Sequence, residues 1–346
     1  MAYTTINKGS SYFNTLTWSG SGNSSGRSFT GVGFKPDWVW QKVRTTTYGH
    51  EIFDIIRTTN RLVSSTANAE TPTDQYGYIS TFDTDGFTTV PGSTDNTGWN
   101  EVGQNYVAWN WLGANTTVSN TSGTITSTVC ANTTSGFSVV GYTGNGTNGP
   151  TFGHGLGVAP KFVIIKNRQA TEGWQVWLNN NIRLSLNSTA ANFGTLPIST
   201  SSTLITLPNF DGAWNTSAVT YIAYCFAEVK GYSKFSSYTG NGSTDGTFVY
   251  TGFKPAFVLI KSSSTAENWH IFDDVRNTFN PADKDLRPNL ANAETTSSVS
   301  NIDFLSNGFK LRNSDADYNG SGTTYIYMAF AENPFVTSGG IPVTAR

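Results

Sequence analysis

Apolar and polar positions along the chain follow one order, and that order is written three times. Each copy begins with an aromatic run closed by a glycine turn: Tyr142-Thr143-Gly144-Asn145-Gly146, Tyr238-Thr239-Gly240-Asn241-Gly242 and, more loosely, Trp18-Ser19-Gly20-Ser21-Gly22. Asn-Gly accepts positive φ and marks a hairpin. A second run follows a proline: Pro36-Asp37-Trp38-Val39-Trp40-Gln41-Lys42, Pro160-Lys161-Phe162-Val163-Ile164-Ile165-Lys166 and Pro255-Ala256-Phe257-Val258-Leu259-Ile260-Lys261. By period two, Trp38, Trp40, Lys42 and Arg44 share one face, and Val39 and Val43 share the other. In the other copies both faces are apolar up to the lysine, as in a strand at the middle of a sandwich with the lysine surfacing at its end.

An aromatic strand with polar residues comes next, His50 to Arg57 in copy 1 and Trp269 to Arg276 in copy 3, reduced to Trp174-Gln175-Val176-Trp177 in copy 2. Copies 1 and 3 then share Ala67-Asn68-Ala69-Glu70 and Ala291-Asn292-Ala293-Glu294, with Asn192 as the degenerate counterpart in copy 2. Each copy closes on a long apolar strand, from Tyr106, Tyr221 and Tyr325. No window keeps a helical period. Short strands separated by Gly, Asn, Asp and Pro predict an all-β chain of three tandem antiparallel β-sandwich modules, jelly-roll or lectin-like. The expected division is 1–114, 115–232 (the degenerate copy), 233–334 and a C-terminal arm, 335–346. A Thr/Ser/Asn-rich linker is expected from Gly113 to Ser135, and a second boundary near Lys230 to Lys234.

Composition narrows the chemistry. Of 346 residues only 13% are charged, against about 25% in an ordinary soluble domain. The net charge of −2 comes with no basic block, which excludes nucleic-acid binding through a phosphate-tracking patch. No run of apolar residues approaches a membrane span, and the N-terminus does not read as a signal peptide. Two cysteines, Cys130 and Cys225, leave their pairing open.

Repetition also sorts the candidate sites, because what recurs holds the module and what occurs once is the better candidate for function. Lys42, Asp54, Arg57 and Glu70 recur as Lys261, Asp273, Arg276 and Glu294, and read as a scaffold network of paired charges. A glycosidase would need two carboxylates across a cleft, and Glu70 and Glu294 are the acids to nominate. His270 with Asp273 or Asp274 lacks a nucleophile, so a structural histidine is expected there and at His50. Trp38, Trp40, Trp109 and Trp111 stand where other copies hold apolar residues and read as core or inter-module contacts. Trp99, in Gly98-Trp99-Asn100, has no evident counterpart and, with Asn100, is the candidate for stacking on a surface ligand. Asp315, Asp317 and Asn319 match the first half of a calcium loop, but Ile326 stands where the motif requires Glu. Calcium is therefore the one cofactor to test, with none otherwise expected.

The full pattern runs from the Tyr-Thr-Gly-Asn-Gly turn through Gly-Phe-x-Pro-x-x-Val-x-x-Lys, the aromatic-Asp-x-x-Arg strand, Ala-x-Ala-Glu and Asn-Gly-Phe to the closing Tyr-x-Ala-aromatic-Ala-Glu strand. It resembles a module of structural proteins of marine bacteriophages. The resemblance implies a concanavalin-like or jelly-roll sandwich on the virion surface, in tail-fibre or head-associated proteins, and transfers no catalytic residue. The expectation is a non-enzymatic virion structural protein, a capsid decoration or tail-appendage component. It would contact other virion proteins and itself, without nucleic acid or membrane insertion. The alternative is an adhesin for a host surface glycan, and a more distant one is a polysaccharide depolymerase.

Overall fold

The computed structural model describes residues 4–332 apart from 23–24, 179–181, 195–197, 209–211 and 297–299. The expected C-terminal arm, 335–346, lies outside the described residues. The chain is all-β; among the described residues the one helical turn is the 3-10 turn Gly9–Ser11.

Aromatic and β-branched residues make the proline-led strands Trp38–Val43, Phe162–Asn167 and Pro255–Ser262, and every residue in all three is buried. A strand buried on both faces must be covered from both sides, and here the two covers differ. In copy 1 the strand sits in a large sheet between the closing strand Asn105–Trp111 and the aromatic strand Glu51–Asp54, with the opening strand Phe13–Ser19 beyond the closing one. The same order recurs in copy 2 (Phe137–Thr143, Thr220–Phe226, Phe162–Asn167, Gln175–Leu178) and in copy 3 (Ser233–Thr239, Thr324–Ala331, Pro255–Ser262, Trp269–Asp273). A three-stranded sheet covers one face of each: Arg27–Thr30 with Gly86–Val90 and Tyr78–Asp83, and its counterparts in copies 2 and 3. The result is three antiparallel β-sandwiches. The fourth strand of each pairs with the third as a hairpin in the same sheet.

One face of the large sheet therefore looks into its own sandwich. In copy 1 that interior holds Val39, Val43, Phe53, Tyr106 and Ala108 against Phe29, Ile79 and Phe87. The other face carries Trp38, Trp40, Trp109 and Trp111, and these meet the outward faces of the other two large sheets in one continuous core. The tryptophans thus fill the junction between copies. Trp111, Phe226 and Phe330 hold the same place in the three closing strands. Phe330 lies 5.8 Å from Trp111 and 6.0 Å from Phe226 between ring centroids, and Trp38 bridges the remaining side, 4.2 Å from Trp111 and 5.8 Å from Phe226. Opening strands close the ring in a cycle: Phe137 reaches Trp38, Phe235 reaches Phe162, and Phe13 reaches Phe257. The copies are joined as a closed triangle about a pseudo-threefold axis, with copy 3 docked on copy 1 as 1 is on 2.

Two expectations are corrected. The segment from Gly113 to Ser135 is no linker: Val118–Asn120 and Ser127–Asn132 are strands that widen the large sheet of copy 2 to seven. Its Thr and Ser residues suit an edge with one wet face. The repeated lysines do not surface, since Lys42, Lys166 and Lys261 are fully buried. Cys130 and Cys225 are free thiols. Cys130 shares a cross-strand row with Val139 and Tyr224, so Cys225, the next residue, points to the opposite face.

Candidate functional site

The recurring charged residues gather at the three junctions. Each buried ammonium is satisfied by carbonyl oxygens at the end of its strand: Lys42 Nζ donates to Val43 O and Thr46 O, and Lys261 Nζ to Ser262 O. Lys166 Nζ bonds Asn167 O (2.7 Å) and also Ala67 O of copy 1 (3.1 Å). Burial pushes these lysines down, to about 7 for Lys42 and about 8 for Lys166 and Lys261, with nearby acids partly opposing it.

The Ala-x-Ala-Glu segment is the tie between copies. Glu70 N donates to Arg168 O of copy 2, Glu294 N to Arg44 O of copy 1, and Asn192 N to Ser263 O of copy 3, at 2.9, 2.7 and 2.9 Å. Asn192 is thus the structural counterpart of the two glutamates. Side chains reinforce two of the three ties. Glu70 binds Arg168 through two bonds of 2.9 Å, and Glu294 binds Arg44 at 2.7 and 2.9 Å and Arg276 at 2.9 Å. Although burial alone would raise it, these guanidinium groups hold Glu294 below the usual carboxylate range. At the third junction the glutamate is Asn192 and the arginine is Ser263, so both partners of the ion pair are missing together. The expected network is present in part within a copy: Asp54 pairs with Arg57 (2.6 Å), and Arg276 with both Asp273 and Glu294, but the ion-pair partner of Glu70 is Arg168 of the next copy.

A second polar contact obeys the same rule. Tyr224 Oη of copy 2 donates to Asp54 Oδ2 of copy 1 (2.8 Å), and Trp109 Nε1 of copy 1 to Asp273 Oδ2 of copy 3 (2.9 Å). The third closing strand has Met328 at that place, and the aromatic strand it would meet has Leu178 for the aspartate. Both belong to the apolar junction core. A buried carboxylate without its donor would be costly, and an apolar pair avoids the demand. At this place copies 2 and 3 therefore meet through apolar side chains.

Trp99 does not lie on the surface. It is fully buried inside the first sandwich, with Trp18 stacked 6.2 Å away and Phe53 and Phe87 edge-on at 5.6 Å. Asn100, also buried, accepts from Ser21 N at 2.9 Å and so pins the glycine turn. Both have counterparts, Trp214-Asn215 and Tyr318-Asn319, and Asn215 and Asn319 accept from Asn145 N and Asn241 N in the same way. Six residues on, Tyr106, Tyr221 and Tyr325 each send a hydroxyl back to this corner, bonding Glu101 N, Thr216 N and Gly320 N. The calcium-like stretch 315–320 is the third copy of the corner. Asn319 Nδ2 is engaged by Asn241, Ser243 and Asn313. Among the described residues no group of three or more His, Cys, Asp and Glu is placed to hold a metal.

The acids that His270 meets are not Asp273 and Asp274, its neighbours along the chain. Its Nδ1 faces Asp285 at 3.0 Å and its Nε2 faces Asp317 at 3.2 Å. Arg287 and Tyr318 also bond Asp285, at 3.0 and 3.1 Å. Burial opposes the charged imidazole, but Asp285 and Asp317 outweigh it and raise its pKa above the usual value. Glu267, hydrogen-bonded to Asp317, is pushed up to about 7. His50 is different: burial, with Lys42 and Arg276 nearby, keeps it neutral, and it accepts from Trp40 Nε1 at 3.1 Å. Among the described residues no serine or cysteine bonds either ring as a nucleophile would; the Asp285–His270–Asp317 set ties the third sandwich's corner to its large sheet.

One family model covers all three copies as a single unit, matching residues 8–334: a domain of unknown function, DUF7483. The chain belongs to this family. No curated protein and no solved structure matches it.

Two outcomes follow for this DUF7483 chain. Tyr224→Phe removes a buried donor from Asp54 and is expected to cost about 1–3 kcal/mol, whereas Met328→Leu at the matching place should cost less than about 1.5 kcal/mol, both read by urea unfolding. His270 has a folded pKa above its unfolded value of about 6.5. Its contribution is complete below that pH and is lost as pH rises through the folded pKa. The stability gap between the parent chain and His270→Gln, the residue copy 2 carries as Gln175, should therefore be widest in mild acid and narrow toward alkaline pH.

Proposed function

We propose that this chain is a non-enzymatic structural protein of a bacteriophage particle surface, a capsid decoration or tail-appendage component that contacts other virion proteins. The observation that carries this reading is the closed triangle. Recurring aspartate and glutamate side chains help to tie three sandwiches around one core, which makes a single block of three like copies. Such a block offers one chain where a threefold position would otherwise need three. The acids nominated for sugar hydrolysis support the same reading, because Glu70 and Glu294 are each clamped by arginine and sit in different junctions. The virion assignment itself rests on the resemblance of the repeated module.

Purified particles from infected cells, imaged by cryo-electron microscopy with the chain quantified by mass spectrometry, test it. Triangular density at regular head positions or on a tail appendage is the expected result. Absence of the chain from particles would contradict it.

A further inference from the structure

The small sheets differ between copies in one outward feature. Strands Arg27–Thr30, Thr151–Gly153 and Phe248–Tyr250 hold the same place, and each sends one apolar residue inward: Phe29, Phe152 or Val249. The outward neighbours are Ser28 and Thr30 in copy 1 and Thr151 and Gly153 in copy 2, but Phe248 and Tyr250 in copy 3. Phe248 is 44% exposed and Tyr250 56%. The fold does not need aromatics here, since two copies do without them.

Backbone packing helps to keep Tyr250 uncovered. Thr30 pairs with Gly86, Gly153 with Leu204 and Tyr250 with Gly308, so each cross-strand pair contains one glycine. A Cβ at Gly86 or Gly308 would stand 2.0 or 2.1 Å from the carbonyl oxygen of Phe29 or Val249. The cross-strand partner of Tyr250 consequently brings no side chain against the ring.

Tyr250 forms one wall of a cleft of about 650 Å³ between copies 2 and 3, with Val158, Lys161, Glu228, Lys230 and Lys234 around it. That size is within the range of about 300–1,000 Å³ usual for ligand clefts. Lys234 Nζ lies 5.4 Å from the centroid of the Tyr250 ring, and Lys161 pairs with Glu228. The described lining of the cleft holds three lysines and one glutamate, on a chain whose net charge is −2. The cleft between copies 1 and 3, at the same end of the large sheets, is lined by Asp274 and Glu332 instead. The basic, aromatic cleft thus occurs at the junction of copies 2 and 3 and not at that of copies 1 and 3.

We propose that the cleft between copies 2 and 3 binds an acidic saccharide. The exposed Tyr250 face suits the C–H face of a sugar ring. The lysines meet its carboxylate or sulfate, and Glu228 accepts from its hydroxyls. This site is independent of where on a particle the chain resides, so its failure would leave the virion reading standing.

The test is calorimetric titration of the full chain with tetragalacturonate, sialyllactose and a chondroitin sulfate tetrasaccharide, beside neutral maltotetraose and tetraglutamate. At least one acidic saccharide is expected to bind tenfold or more tightly than both controls, and more weakly as salt rises. The Phe248→Ser/Tyr250→Thr variant carries the residues of copy 1, so its melting temperature should hold while affinity falls at least tenfold. Lys234→Gln should weaken binding and its salt dependence, which keeps the test open if the double variant misfolds. No binding by any acidic saccharide, equal binding of a control, or full affinity in both variants would overturn the proposal.

Discussion

The outward faces of the three large sheets meet around Trp111, Phe226 and Phe330, and that contact sets the demands on the residues around it. A solitary sandwich keeps its outer faces polar. Here the outer face of each large sheet is as apolar as its inner one, and the proline-led strands are buried throughout. Burying one large apolar side chain is worth about 1.5–3 kcal/mol. The junction therefore holds the copies together with forces of the kind that hold each sandwich.

Polar groups near such a junction lose water and must find partners. The lysine at the end of each proline-led strand bonds carbonyl oxygens, the Ala-x-Ala-Glu segments bond the neighbouring backbone, and Asp54 and Asp273 receive donors from adjacent copies. The same need explains which residues copy 2 lacks. Where Leu178 replaces the aspartate, Met328 replaces the donor; where Asn192 replaces the glutamate, Ser263 replaces the arginine. Degeneracy is paired across a junction because one buried charge without its partner is worse than neither. The family model, which spans all three copies, describes the same unit that the packing defines.

Much of this was legible along the chain. The three copies, their strand order and the recurring charges could be read from spacing, and period two put Trp38, Trp40 and Lys42 on one face. Period two assigns a face but not what covers it, so it showed neither that the lysines are buried nor that the glutamates reach arginines of neighbouring copies. Trp99 appeared unique because its corner recurs only as an aromatic-Asn pair six residues before a tyrosine, a pattern too sparse to notice before the buried Asn side chains are seen holding the glycine turns. Among the described residues the strands between Gly113 and Ser135 have no counterpart in the other copies, so repetition gave no warning of them. Tyr250 and Phe248 could have been found by comparing copies, since polar or glycine residues stand at those places in copies 1 and 2.

The central claim is that three sandwiches share one core and so fold as one body. Scanning calorimetry of the full chain tests it most directly. If the junction binds the copies as described, unfolding occurs in one transition with a calorimetric enthalpy about equal to the van't Hoff enthalpy. A calorimetric enthalpy near about three times the van't Hoff value, or three separable transitions, would mean independent modules and would contradict the account.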